Sequence, residues 1–353
     1  MQREFVYQTH PGRVVFGAGS VRKLPGELAE RSLSRALVLS TPGQAGKAGE
    51  ISRMLGSASA GICDLATMHT PVEVTKKALD VLRATDADCL VSFGGGTAVG
   101  LGKALSARTG LAHVALPTTY AGSEMTPILG ETENGVKTTR RDPAILPGLV
   151  IYDVELTLGL PAPVSATSGI NAIAHAVEAL YAPDRNPVIS LMAEESIASL
   201  AHALPRISDN PADLGAREEA LYGAWLAGTC LGAVSMAIHH KLCHTLGGTF
   251  GLPHAETHTV VLPYAMAYVA DAAPQAMQIV ARALGEKNAA LGIRRLAHSL
   301  GAPVSLSAIG MPQSGLDRAA DLAMKNTYWN PRPLIRDEIR ALLGRAYEGL
   351  EPV

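Results

Sequence analysis

The chain has 353 residues, 47% hydrophobic and 18% charged, which supplies a sizeable buried core and excludes a disordered chain. A net charge of -2 with no long like-charge run excludes a nucleic-acid groove or a polybasic membrane patch. The length predicts about two domains.

The first residues, Met1 to Tyr7, show no charged-then-apolar signal pattern. Candidate strands then follow at Arg13–Phe16, Ala36–Ser40, Gly61–Leu65, Cys89–Phe93, Ala112–Leu116 and Leu149–Asp153. Helical patterns lie between several of them, at Val21–Arg31, Glu73–Ala84 and Ala98–Arg108. This alternation predicts βαβ units on a parallel sheet, with ligands beyond the C-terminal strand ends. After Pro161-Ala-Pro163 the texture becomes helical, as in Leu191–Leu204 and Gln275–Leu284. The predicted organisation is an α/β domain over residues 1–160 and an all-helical domain over 161–353. Leu221 to Ile238 carries no charge and is read as a helix buried in the second domain, not as a membrane span. Cys63, Cys89, Cys230 and Cys243 form no CxxC pair, so they read as buried reduced thiols of a cytoplasmic protein.

Two loops on the predicted sheet are candidate phosphate and nucleoside contacts. Gly94, Gly95, Gly96 and Thr97 separate a strand from a helix, and glycines at a helix N-terminus let backbone N–H groups reach a pyrophosphate. The spacing is not the standard dinucleotide fingerprint, because Val99 stands where the third glycine would fall. The triplet alone reads equally well as a turn packing a helix on a sheet. The next loop, Leu116 to Glu124, adds hydroxyls from Thr118, Thr119, Tyr120 and Ser123, which either bond a nucleotide or satisfy their own turns.

The chemistry is concentrated further on. Of 11 histidines, His239, His240, His244, His254 and His258 fall in one short block. His240 and His244 are four apart and share a helix face; His254 follows Pro253, at the start of a new helix. Upstream, Asn171 and His175 are also four apart. Paired histidines on two helices predict an active site.

These residues resemble a known family, the iron-containing (group III) alcohol dehydrogenases, over essentially the whole chain. Phe16-Gly-Ala-Gly19, Gly94–Gly96, Pro117-Thr118-Thr119 with Gly122-Ser123-Glu124, and the histidine block carry the resemblance. Within the family, five strings look like maleylacetate reductases. They are Gly94 to Lys103, Pro117 to Pro127, His239-His-Lys-Leu-Cys-His244, Leu252-Pro-His-Ala-Glu-Thr-His258 and Tyr328-Trp-Asn-Pro-Arg-Pro333. The resemblance implies a nucleotide-binding α/β domain plus an all-α domain, the dehydroquinate synthase-like architecture, with the active site in the cleft between them. It also implies a homodimer with no nucleic-acid or membrane partner.

The family's metal ligands, one Asp and three His, match Asn171, His175, His240 and His254, and His244 matches a further histidine near the nicotinamide. Asn171 is a departure, since a neutral amide replaces an anionic ligand for iron or zinc. Three imidazoles remain able to hold zinc, but the resemblance favours a metal-free cavity whose histidines meet the substrate. The implied reaction is NAD(P)H-dependent reduction of maleylacetate, an enone dicarboxylate, to 3-oxoadipate in aromatic-compound degradation. His244 is the nominated proton donor, with His240 next. Lys241, Arg140 and Arg332 are candidate cations for the substrate carboxylates. Thr41 stands where the family uses Asp to select NAD, so both NADH and NADPH are expected. The competing readings are a metal-dependent alcohol or aldehyde oxidoreductase and a dehydroquinate-synthase-like lyase on the same architecture.

Overall fold

In the computed structural model, residues 5–7, 12–134, 136–325 and 328–353 are described, with Val136 and Lys137 as backbone only. The chain divides between Leu160 and Pro161 into two compact units, and residues 5–7 group with the second.

The first unit is α/β. Its elements are β1 (Arg13–Phe16), α1 (Leu24–Ala29), β2 (Ala36–Leu39), α2 (Ala45–Leu55), β3 (Ser59–Cys63), α3 (Val72–Thr85), β4 (Cys89–Gly94), α4 (Gly96–Thr109), β5 (Ala112–Pro117), β6 (Ile128–Glu133), β7 (Val136–Arg141) and β8 (Leu149–Tyr152). Six strands form a parallel sheet in the order β1-β8-β5-β4-β2-β3. Both faces are covered, so the central strands are continuous apolar runs without polar alternation. Val38, Val91 and Phe93 face Leu24, Leu28, Ile51 and Leu55, on the side of α1 and α2. Leu37, Leu39 and Leu90 face Ala78, Leu82, Leu101 and Leu105, on the side of α3 and α4. Gly102 of α4 presses on the His113 ring, which leaves no room for a Cβ there. The Phe16-Gly-Ala-Gly19 motif is a turn held by Asp153, whose carboxylate accepts from the N–H of Gly19 at 2.9 Å and of Val21 at 2.8 Å.

Helix α2 and the antiparallel β6–β7 hairpin over residues 128–141 were not expected from the sequence. The expected helix at Val21–Arg31 is a short 3-10 turn running into the six-residue α1. The third strand also begins and ends two residues before the expected span.

The second unit is helical: α5 (Ala162–Tyr181), α6 (Pro187–Asp209), α7 (Leu214–Ala233), α8 (Ile238–Phe250), α9 (His254–Val269), α10 (Pro274–Ala283), α11 (Ala289–Ser299), α12 (Leu316–Ala323) and α13 (Arg336–Glu348). Helix α5 packs against α6, α7 and α9, and α8 packs against α9. Small residues permit the close crossings: a Cβ on Gly169 would meet Leu204, and one on Gly223 would meet Leu200. The uncharged stretch Leu221–Ile238 is not one helix. Helix α7 ends at Ala233, where the Asp184 carboxylate accepts from Ser235 N and Oγ, and α8 leaves at 94°. No single helix among the described residues is long and apolar enough to cross a membrane.

Candidate functional site

On the α/β unit, parallel pairing of β4 with β5 places Gly94 opposite Pro117, so the two candidate loops leave the sheet side by side. They are joined by Thr118 N–H donating to Gly94 O at 3.1 Å. The loop after β2 joins them too: Gln44 Nε2 donates to Thr118 Oγ1 at 3.2 Å, and Thr41 Oγ1 lies 3.5 Å from Gln44 Oε1. Gly94 has φ +142°, which favours glycine, whereas Gly95 has an ordinary backbone and is required for space. A Cβ on Gly95 would lie 2.8 Å from Thr119, and one on Gly96 would approach Ala121 and Ser123. Among the described residues no side chain caps α4, so its first N–H groups, including that of Thr97, are available to an anion. The buried Lys103 fixes the second loop, donating to Thr126 Oγ1 and Ile128 O, both at 2.9 Å, and to Ser123 O. Burial lowers the Lys103 ammonium to about 7. Thr41, Gly94, Gly95, Gly96, Thr97, Thr118, Thr119 and Ser123 therefore share one corner of the sheet edge.

In the helical unit the histidines gather on three helices: His175 on α5; His239, His240 and His244 on α8; His254 and His258 on α9. The row of contacts begins at Glu178, one turn beyond His175 on α5. Its carboxylate is fully buried and accepts from the N–H of Ala237 at 2.9 Å, of His239 at 2.8 Å, and from His240 Nδ1 at 2.6 Å. Burial alone would raise its pKa; the hydrogen bond and charge of His240, with His239 and the Ala237 N–H, hold it at about 2. Because an ionised carboxylate only accepts, His240 Nδ1 carries the hydrogen and a neutral His240 leaves Nε2 as an acceptor. His240 Nε2 is 2.8 Å from His175 Nδ1, which then donates to it. His175 Nε2 in turn faces Asn171 Nδ2 at 3.4 Å. One set of hydrogens satisfies the three contacts Glu178–His240, His240–His175 and His175–Asn171. A second proton on His240 would reverse the His240–His175 bond, move the His175 hydrogen to Nε2, and require the Asn171 amide to turn so that Oδ1 accepts it.

Around this row, the His258 ring lies 4.4 Å from His254, 4.8 Å from His239 and 5.0 Å from His240, centroid to centroid. Burial, then the charge of neighbouring imidazoles, lowers His239 to about 3 and His258 well below its ordinary value, so both are neutral. His244 and His254 are exposed, with His244 6.1 Å from His240. Among the described residues, the group of metal-type side chains whose donor atoms approach within 4.8 Å of one another is His239, Cys243 and His258, not the trio His175, His240 and His254.

Of the candidate cations, Lys241 is half-buried, with its ammonium 5.4 Å from the Tyr328 ring centroid. Arg332 is committed elsewhere: it donates to Glu338 at 2.6 Å and Tyr268 O at 3.0 Å, and stacks on the Tyr268 ring. Arg140 is exposed on β7, in the other unit.

Sequence reasoning placed His239 and His258 in the histidine block without giving either a role, and gave Glu178 none. The signal existed: Asn171, His175 and Glu178 repeat at helical spacing, as do His254 with His258 and His239 with Cys243.

Comparison with known proteins follows the same outline. The sequence pattern of iron-containing alcohol dehydrogenases matches residues 11–154, and that of the C-terminal part of the Fe-containing alcohol dehydrogenase family matches residues 165–347. A maleylacetate reductase of Rhizobium sp. (strain MTP-10005) is 57% identical over 348 residues, covering 99% of both chains. One from Burkholderia cepacia is 56% identical over 348 residues, again covering 99% of both. The crystal structure of maleylacetate reductase from Agrobacterium tumefaciens superposes with a TM-score of 0.96 at 56% identity, covering 99% of this chain and 100% of that one.

Proposed function

The chain belongs to the iron-containing alcohol dehydrogenase family, and from that premise we infer that it reduces the conjugated C=C of maleylacetate to give 3-oxoadipate, with NADH or NADPH. It is an oxidoreductase. The observation that carries the reading is the buried row Glu178–His240–His175–Asn171, which offers proton-handling imidazoles in place of an anionic metal ligand.

The residues fit a nicotinamide coenzyme. Gly94, Gly95, Gly96 and Thr97 would take the pyrophosphate at the start of α4, with Thr118, Thr119 and Ser123 beside them. Thr41, uncharged and linked to the same corner through Gln44, repels neither coenzyme's ribose end. Bound there, the reduced coenzyme supplies a hydride to the substrate. His175 and His240, matched to metal ligands by the resemblance, do not fit a catalytic metal. Two nitrogens on one tetrahedral ion stand roughly 3.4 Å apart, whereas His175 and His240 close to a 2.8 Å hydrogen bond. No step is therefore assigned to iron or zinc.

The chain's own groups do the rest. Negative charge develops on the substrate ketone oxygen as an enolate, and an imidazolium in a dry site stabilises it. His240, held at Nδ1 by Glu178, shares a proton with His175 across their bond. His244, one turn on and exposed, delivers the proton to carbon, and His254 lines the exposed rim of the cluster. A homodimer in the cytoplasm, with a small dicarboxylate as substrate, completes the proposal.

The second reading, a metal-dependent alcohol or aldehyde oxidoreductase, is favoured by one atom: Asn171 Oδ1 is buried with no hydrogen-bond partner among the described residues. Both readings meet one test. Coenzyme oxidation is followed at 340 nm with maleylacetate, before and after EDTA treatment, with metal content measured. We expect activity with either coenzyme and survival of chelation. His244→Ala and His240→Ala should lower kcat about a hundredfold with coenzyme affinity nearly unchanged. His202→Ala, an exposed histidine paired with Glu219, should be silent. Stoichiometric metal, with activity lost on its removal and restored on its return, would overturn the metal-free assignment.

A further inference from the structure

The reaction above leaves open how a dianion is told from a neutral alcohol or aldehyde, and the loop before α13 bears on this. The Tyr328 hydroxyl is buried with no hydrogen-bond partner among the described residues. Burial, then the nearby Glu178 carboxylate, pushes this phenol well above its ordinary value, so it remains an O–H donor at any working pH. A buried donor without an acceptor is costly to leave unmade. The Lys241 ammonium sits over the face of the same ring. Unlike Arg332, Arg336 and Arg295, which pair with Glu338, Asp317 and Glu286, Lys241 has no carboxylate partner among the described residues. It follows His240 directly and precedes His244 by three residues, on the turn of α8 that carries the proposed chemistry.

We propose that Lys241 and the Tyr328 hydroxyl form a subsite for one carboxylate of the substrate. The ring holds the ammonium in place by a cation–π contact without neutralising it, as an acidic partner would. An entering carboxylate supplies both what the ammonium lacks, an anion, and what the phenol lacks, an acceptor. Neutral alcohols and aldehydes offer no such group, so the subsite selects for carboxylate substrates. The other carboxylate is left to groups outside this pair. This inference rests on the dicarboxylate reading above.

The test uses the full chain with saturating NADPH and maleylacetate as the varied substrate. Lys241→Met should raise KM about tenfold or more, leave kcat within about threefold, and leave NADPH affinity, titrated directly, unchanged. Inhibition by the product, 3-oxoadipate, should weaken in parallel. Lys241→Arg should restore most of the affinity. Tyr328→Phe removes an atom that bonds nothing among the described residues, so it should keep the melting temperature while raising KM. If the wild-type enzyme does not reduce maleylacetate, the functional reading fails. If it does, and Lys241→Met keeps its KM and product inhibition within twofold, the subsite is refuted. A loss of kcat at unchanged KM would also refute it, since that would make Lys241 a proton donor and not an anchor.

Discussion

A fully buried carboxylate needs several donors to remain ionised, and Glu178 has them: the N–H groups at the start of α8, the His240 ring and the Tyr181 hydroxyl at 3.1 Å. One side chain thus caps the reactive helix and fixes a tautomer. Glu178→Gln replaces an acceptor-only group by one that carries its own N–H hydrogens. It should cost about 2–4 kcal/mol of stability. It should also lower kcat by roughly a hundredfold through the wrong His240 tautomer, with coenzyme affinity unchanged. Urea unfolding and steady-state kinetics on the same preparation would check this; a variant with nearly full kcat would show that the tautomer is immaterial. The candidate histidines were legible because they cluster in the sequence. Glu178 continues the helical repeat of Asn171 and His175, but its part was not legible, because α8 starts against it only once the chain folds.

At the scale of elements, the unit β4–turn–α4 shows how a sheet edge becomes an anion site. The glycines have different duties: Gly94 supplies a left-handed turn, Gly95 leaves space for Thr119, and Gly102 lets α4 approach His113. Gly95→Val should displace Thr119 and raise the coenzyme dissociation constant about tenfold or more in a folded protein. Fluorescence titration with NADPH, beside a melting curve, decides; unchanged affinity in a folded variant would place the pyrophosphate elsewhere. The strands of the parallel sheet were legible because both faces are buried, which makes each strand an apolar run. Helix α2 was not, since Gly46 and Gly49 interrupt its helical pattern. The β6–β7 hairpin was not either, because Ile128–Glu133 and Val136–Arg141 are too polar to read as strands.

Across the whole molecule, buried neutral histidines set how the protein meets acid. Burial lowers His113 and His239 to about 3, and His258 also falls well below its ordinary value. Their folded pKa values lie below the unfolded one, so the unfolded chain takes up these protons first. The stability held by keeping the rings neutral is complete above about pH 6.5 and is lost as the pH falls towards 3. Each group contributes a slope of about 1.4 kcal/mol per pH unit in that window. Urea midpoints should therefore fall steeply between pH 6.5 and 4.5, before most carboxylates titrate. His113→Gln should flatten the fall by about one proton. A flat profile over that range would mean the rings are charged or hydrated in the native state. The two-part organisation was legible from the change in texture near Pro161; the tight seams at Gly169 and Gly223 were not, since small residues reveal their neighbours only in three dimensions.

The position of Glu178 also limits how portable this chemistry is. Segment 238–258 holds five of the six clustered histidines, and a designer would take it for a cassette that can be lifted onto another scaffold. Transplanted alone, it leaves behind the acid that begins its helix and orders its hydrogens. The smallest transferable part is therefore a pair of segments distant in sequence, α5 together with α8–α9.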